Sequence, residues 1–98
     1  MIARVTLMSI IKDKLDEAIR LFQESVVPAA KSQNGFRGAY FLTNRETGEG
    51  LSITLWMSAD DGKANEESGY YQEQLSKFRS LVKALPTFDD YYEVSAQT

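Results

Sequence analysis

Leu51-Ser52-Ile53-Thr54-Leu55-Trp56-Met57 alternates apolar and polar or aromatic residues along its whole length. Successive side chains on a strand point to opposite faces. Leu51, Ile53, Leu55 and Met57 therefore share one face, and Ser52, Thr54 and Trp56 share the other. Just upstream, Asn44-Arg45-Glu46-Thr47-Gly48-Glu49-Gly50 is polar and glycine-bearing, as a hairpin loop should be. Phe36 to Thr43 then reads as the partner strand, and Asn34-Gly35 as the turn that precedes it.

Working outward, Ile2 to Ile11 is rich in aliphatic and β-branched residues and reads as an opening strand. It places Ala3, Val5 and Leu7 on one face, and Arg4, Thr6 and Met8 on the other. Asp13 is positioned to cap the next element. Leu15, Ala18, Ile19, Phe22 and Val26 follow at the spacing of an amphipathic helix, which Pro28 is expected to kink or end. Downstream, Ser58-Ala59-Asp60-Asp61 has the hydroxyl cap and early acids of a helix start. That helix should be short, because Ser68-Gly69 interrupts it. Tyr71, Leu75, Phe78, Val82 and Leu85 mark a further amphipathic helix that Pro86 stops, and Phe88 to Ala96 reads as a last strand.

The order is β-α-β-β-α-β, the ferredoxin-like α+β arrangement: a four-stranded antiparallel sheet with helices on one face. Its 98 residues form one domain, 1–98. Two helical stripes cover one side of such a sheet. The reading gives them the side of Leu51, Ile53 and Leu55, and leaves the side of Trp56, Met8, Arg4 and Thr6 in need of a cover. An uncovered apolar patch marks an interface or ligand site, and a second copy of the chain is the simplest cover. A homodimer enclosing a cavity is the expectation.

Composition narrows the chemistry. The chain has no cysteine and no histidine. Thiolate nucleophiles, disulfides, the usual haem ligand and the usual neutral-pH base are all absent. The net charge is −3 and the basic residues are scattered, which argues against nucleic acid as a partner. No apolar run approaches the length of a membrane span, and no signal-peptide pattern follows Met1. Cytoplasmic residence is the default, with no membrane partner. Asp60, Asp61, Glu66 and Glu67 read as a solvated helix face, and no metal is assigned.

The segments Ala3-Arg4-Val5-Thr6, Val26-Val27-Pro28-Ala29 and Gly35-Phe36-Arg37-Gly38-Ala39-Tyr40 carry a resemblance, as do Thr54-Leu55-Trp56 and Tyr92-Glu93-Val94. Over essentially its whole length the chain resembles the dimeric α+β barrel superfamily, and within it the antibiotic biosynthesis monooxygenase-like domains. The resemblance implies a homodimer. It also implies cofactor-free oxidation of an aromatic phenol or quinol, in which the deprotonated substrate gives an electron to oxygen and the radicals recombine. Haem-degrading relatives rely on a histidine that this chain lacks, so no haem or other cofactor is assigned.

Candidate site residues follow from the strand faces. Trp56 is either a cavity wall that stacks on a planar ligand or a filler of the dimer core; Thr54, Ser52 and Thr6 share its side. Arg4 either steadies a phenolate or closes the interface by pairing with an acid such as Glu93 of the partner subunit. Glu93 is the candidate general base, its pKa expected to rise on burial, unless it is a satisfied ion pair. Tyr70 lies off the helical stripe and is placed at the pocket mouth, whereas Tyr71 is assigned to the core. The alternative to an enzyme is a non-catalytic dimer that binds a small aromatic ligand, or one whose interior is simply filled.

Overall fold

In the computed structural model, which describes residues 1–84 and 88–98, four strands among those residues pair into one antiparallel sheet. They are β1 (Ile2–Ser9), β2 (Phe36–Thr43), β3 (Glu49–Trp56) and β4 (Phe88–Glu93), side by side in the order β2-β3-β1-β4. Between β1 and β2 run α1 (Leu15–Leu21), a π-helical turn (Phe22–Val26) and α2 (Val27–Lys31). Between β3 and β4 lie α3 (Ala59–Glu67) and α4 (Tyr70–Ser76). The ferredoxin-like α+β fold is as expected.

The register determines what each side of the sheet presents. Residues directly opposite each other in an antiparallel pair share a face. Ala39, Thr54, Arg4 and Tyr91 stand in one row across the sheet, and Phe41, Ser52, Thr6 and Asp89 in the next. This is the side that the helices cover. Met8, Leu15, Ala18, Phe22, Val26 and Phe78 belong to one buried cluster on it, with Phe41 packed against them. Phe41 stacks on Phe22 with ring centroids 4.9 Å apart.

The opposite side holds the rows Tyr40-Ile53-Val5-Asp90 and Leu42-Leu51-Leu7-Phe88. It is uncovered: Tyr40 is 58% exposed, Leu42 50% and Tyr92 49%. The assignment of faces made from the sequence is therefore reversed. The helices lie over the Arg4, Thr6, Met8, Thr54 and Trp56 side, and the aliphatic Ile53 and Leu55 side is the one left open. Period-two alternation shows which residues share a face, but an interface can be as apolar as a core, so apolarity did not identify the covered side.

Smaller expectations divide. The 44–50 hairpin loop forms, with Asn44 Oδ1 accepting from the backbone N–H groups of Glu46 and Thr47. Gly35 turns with φ 81°, and a Cβ there would run into Asp61. Ser58 caps α3 by accepting from the Asp61 N–H at 3.2 Å. Gly69, at φ 85°, separates α3 from α4.

Asp13 is not a cap; it sits inside a 3-10 turn (Lys12–Lys14), and no side-chain cap bond starts either that turn or α1. Pro28 does not end its helix. The π turn ahead of it, with Val27 N–H bonded to Phe22 O, widens the helix before the ring, and the chain continues helical to Lys31. The last helix is shorter than its stripe. After Ser76 the backbone turns, and Ile11 N–H bonds to Leu81 O while Lys83 N–H bonds to Ser9 O. Pairing with the end of β1 thus claims groups that a longer helix would have used. Leu85 and Pro86 lie outside the described residues. The last strand ends at Glu93 rather than Ala96.

Candidate functional site

Between sheet and helices lies a cavity of about 50 Å³. Arg4, Thr6, Ser52 and Thr54 form its floor from β1 and β3, and Asn65, Tyr70, Tyr71 and Gln74 its helical walls. Met8, Phe22, Val26 and Phe78 supply an apolar end. The cavity is thus internal to one protomer, on the side of the sheet away from the open apolar face.

Arg4 organises the polar end. It is only 5% exposed, and its guanidinium grips Asp89 with two parallel bonds, Nε to Oδ1 at 2.9 Å and Nη2 to Oδ2 at 2.7 Å. Its plane lies over the Tyr71 ring, 3.4 Å from the centroid, and Glu66 stands 3.6 Å away. Tyr71 donates to Asp89 Oδ2 at 2.9 Å, and Thr6 donates to Oδ1 at 3.2 Å. Tyr91 donates to Glu66 at 2.9 Å. Two carboxylates therefore surround one cation, so Arg4 is not a free positive charge.

The titration of these groups follows. Burial works against ionisation of Asp89, but the bonds from Arg4, Tyr71 and Thr6 outweigh it and hold the carboxyl below its usual range. Burial also works against the Arg4 charge, but the Asp89 bond and charge together with Tyr71 and Tyr91 more than restore it, so the guanidinium is held above its ordinary value. Burial pushes Tyr70 up to about 12, against the pull of Arg4. Tyr91 reaches about 12 through burial and then its bond to Glu66. Tyr71 is raised as well, chiefly by burial. At neutral pH the tyrosines are donors.

Because the folded pKa of Asp89 is depressed, its stabilisation is complete above the unfolded value of about 3.9 and is lost as pH falls through the folded value. Asp89→Asn should therefore melt well below the unchanged protein at pH 6, and the gap should shrink as pH is lowered toward 3. Melting curves of the two proteins across that range check this; a constant gap would contradict the assignment.

Of the residues expected at the site, the structure brings Arg4, Thr6, Ser52, Thr54 and Tyr70 to one cavity. Trp56, 1% exposed, lies behind the wall rather than on it. Its indole donates to Thr54 Oγ1 at 3.0 Å and meets Phe36 edge-on at 5.6 Å. Glu93 is exposed at the end of β4, opposite Ile2, and is not among the lining residues. The acid that pairs with Arg4 is Asp89 of the same chain. Glu66, read as part of a solvated face, is half-buried against Tyr91.

Sequence reasoning missed Asp89, Asn65 and Gln74, and gave Tyr71 only a packing role. Asp89 shares strand parity with Tyr91, a usable signal. Asn65 and Gln74 sit on a helix with no strong apolar stripe and on a short one, where nothing in the spacing singles them out.

An antiparallel β2-β3-β1-β4 sheet with helices on one face is the ferredoxin-like α+β fold of monooxygenase-like domains. The chain belongs to the antibiotic biosynthesis monooxygenase family, whose sequence model matches residues 1–86. None of the curated proteins matches it in sequence.

Among solved structures it is similar to a monooxygenase of Streptomyces coelicolor in complex with nanaomycin D. The TM-score is 0.83 at 13% identity, over 99% of this chain and 89% of that one. It is similar too to SnoaB, a cofactor-independent oxygenase of Streptomyces nogalater, with a TM-score of 0.74 at 13% identity over 98% and 94% of the two chains. The protein Rv0793 of Mycobacterium tuberculosis superposes with a TM-score of 0.74 at 12% identity over 98% and 96%. At such identities the likeness is one of fold. No helix of the described residues is long and apolar enough to cross a membrane.

Proposed function

We propose that the chain is a homodimeric, cofactor-independent monooxygenase that oxidises a small phenol or quinol in the cavity between sheet and helices. The observation that carries this reading is the Arg4-Asp89-Tyr71 cluster bordering an otherwise apolar and hydroxyl-lined cavity. In the reaction the substrate loses two hydrogens and a ring carbon gains one oxygen atom from O2. The second oxygen atom leaves as water.

Without histidine, a carboxylate is the strongest candidate for the final proton acceptor. Glu93 stands outside the cavity, so this reading gives the role to Asp89. The Tyr71 hydroxyl, which lines the cavity and donates to Asp89, passes its proton on as it takes the substrate's. The depressed pKa makes Asp89 a weak base; once it takes the proton, Arg4 loses its nearest counter-ion and its charge favours the phenolate. Tyr70, Thr6, Ser52 and Thr54 bind the substrate, and Trp56 holds Thr54 in place. The apolar end keeps water from the radical pair.

Oxygen uptake with a panel of naphthols and quinols tests the reading. Turnover above the protein-free rate is expected, and Tyr71→Phe should lower kcat by about tenfold or more while moving KM little. If every compound is consumed no faster than in buffer, the oxygenase reading is wrong.

A further inference from the structure

The cavity is small for an aromatic substrate. It measures about 50 Å³, whereas an empty apolar cavity of about 150 Å³ is what takes up a benzene ring. Beside it lies an outer chamber of about 420 Å³, whose lining includes the exposed residues Gln72, Ser76 and Arg79. The two spaces share Arg4, Met8, Tyr71, Leu75 and Phe78, so a single layer of side chains separates them. Asp89 lines the outer chamber, which puts the proposed proton path along this wall.

Four of the five shared residues are held in place. Arg4 and Tyr71 are bonded to Asp89 and stacked on each other, and Met8 and Phe78 are 3% and 4% exposed within the buried cluster. Leu75 is half-buried, lies outside that cluster among the described residues, and stands one residue before α4 ends at Ser76. Its side chain is the part of the wall that turns aside at the lowest cost.

We infer that Leu75 is the partition of a two-chamber substrate site and sets the size of ring that the site admits. A two-ring phenol places its hydroxyl in the inner cavity, beside Tyr70 and Tyr71, and extends its second ring past Leu75 into the outer chamber toward Val82. This deepens the proposed oxygenase reading and rests on the cavity assigned there. A ligand of that shape pushes Leu75 off its preferred rotamer, a cost that truncation removes.

The test reads binding alone. Affinities for 2-naphthol and phenol are measured by calorimetry, with oxygen excluded, on the unchanged protein, Leu75→Ala and Val82→Phe. Leu75→Ala should bind 2-naphthol about threefold to tenfold more tightly. Truncating an ordinary pocket wall removes contacts and weakens binding, so the sign of the change separates a partition from a wall. Val82 lines the outer chamber and is not among the residues lining the inner one. Val82→Phe should weaken 2-naphthol by about tenfold, the worth of a displaced ring contact, and phenol by less than about threefold.

Unchanged or weaker 2-naphthol binding in Leu75→Ala would overturn the partition, and that result decides alone if Val82→Phe does not fold. Equal losses for the two ligands in Val82→Phe, or none, would overturn the outer chamber's part in the site. Failure of 2-naphthol to bind both the unchanged protein and Leu75→Ala would overturn the whole inference. If naphthol-driven oxygen uptake persists while these affinities do not move as stated, the partition alone falls and the oxygenase reading stands. If they move as stated and no compound drives uptake, the oxygenase reading falls and the two-chamber site stands.

Discussion

Arg4→Met should lower the melting temperature by roughly 10–20 °C and abolish any oxygenase turnover. Removing the guanidinium leaves Asp89 and Glu66 facing each other without a cation, and it strips the two-bond contact to Asp89 together with the stacking over Tyr71. Breaking one side of a buried ion pair costs about 3–5 kcal/mol. The Asp89 side chain is 30% exposed, so water softens the loss, and about 2–3 kcal/mol is the better expectation. For a domain of this size each kcal/mol moves the midpoint by roughly 4–8 °C.

The double variant Arg4→Met/Asp89→Asn should recover part of the loss, because the stranded charge has gone too. Thermal unfolding of the two variants checks this. A single variant that melts within a couple of degrees of the unchanged protein would mean that Arg4 does not hold the cluster together.

Ile53→Lys should convert the proposed dimer to a monomer without unfolding it. Ile53 stands between Tyr40 and Val5 near the middle of the uncovered face. Its neighbours on that face include Tyr40, directly opposite and 58% exposed, and Leu42 one row away at 50%. A contiguous face of this kind is what a second copy would bury, and a lysine at its centre would carry a charge into that contact. A central interface substitution of this type costs about 3 kcal/mol or more, roughly a hundredfold in dimer dissociation constant.

Sedimentation of the unchanged chain should give twice the chain mass at micromolar concentration, and the variant should sediment as single chains with unaltered far-ultraviolet circular dichroism. The cavity lies on the other side of the sheet, and Ile53 is not among its lining residues, so the substitution leaves it intact. A variant that stays dimeric would move the interface elsewhere, and an unchanged chain that is monomeric would remove it.

Much of the site could be read in the alternation of β1 and β3. Arg4, Thr6, Ser52 and Thr54 have the same parity across directly paired positions, and all four line the cavity. The parity of Asp89 with Tyr91 was legible, but its meeting with Arg4 and Thr6 was not, because nothing local aligns β4 with β1. The two strands are far apart in the chain, and their register emerges only when the sheet assembles. Tyr71 was read as core because its stripe position is apolar in pattern, yet its ring packs under Arg4 while its hydroxyl reaches Asp89. A tyrosine serves both ends at once, and periodicity sees only the ring.

Alternation, helical spacing, the Ser58 cap and the Gly69 break were enough to establish the order of elements along the chain and with it the ferredoxin-like class, since each depends on neighbours a few residues apart. The absence of histidine and cysteine likewise confined the chemistry to carboxylates, tyrosines and arginine before any packing was known. Tertiary structure alone decided which side of the sheet the helices cover, where the last helix stops, and that Arg4 meets Asp89 within one chain. Those outcomes turn on long-range packing and hydrogen bonding, where two faces of comparable apolarity compete for the same helices and only the assembled register tells them apart.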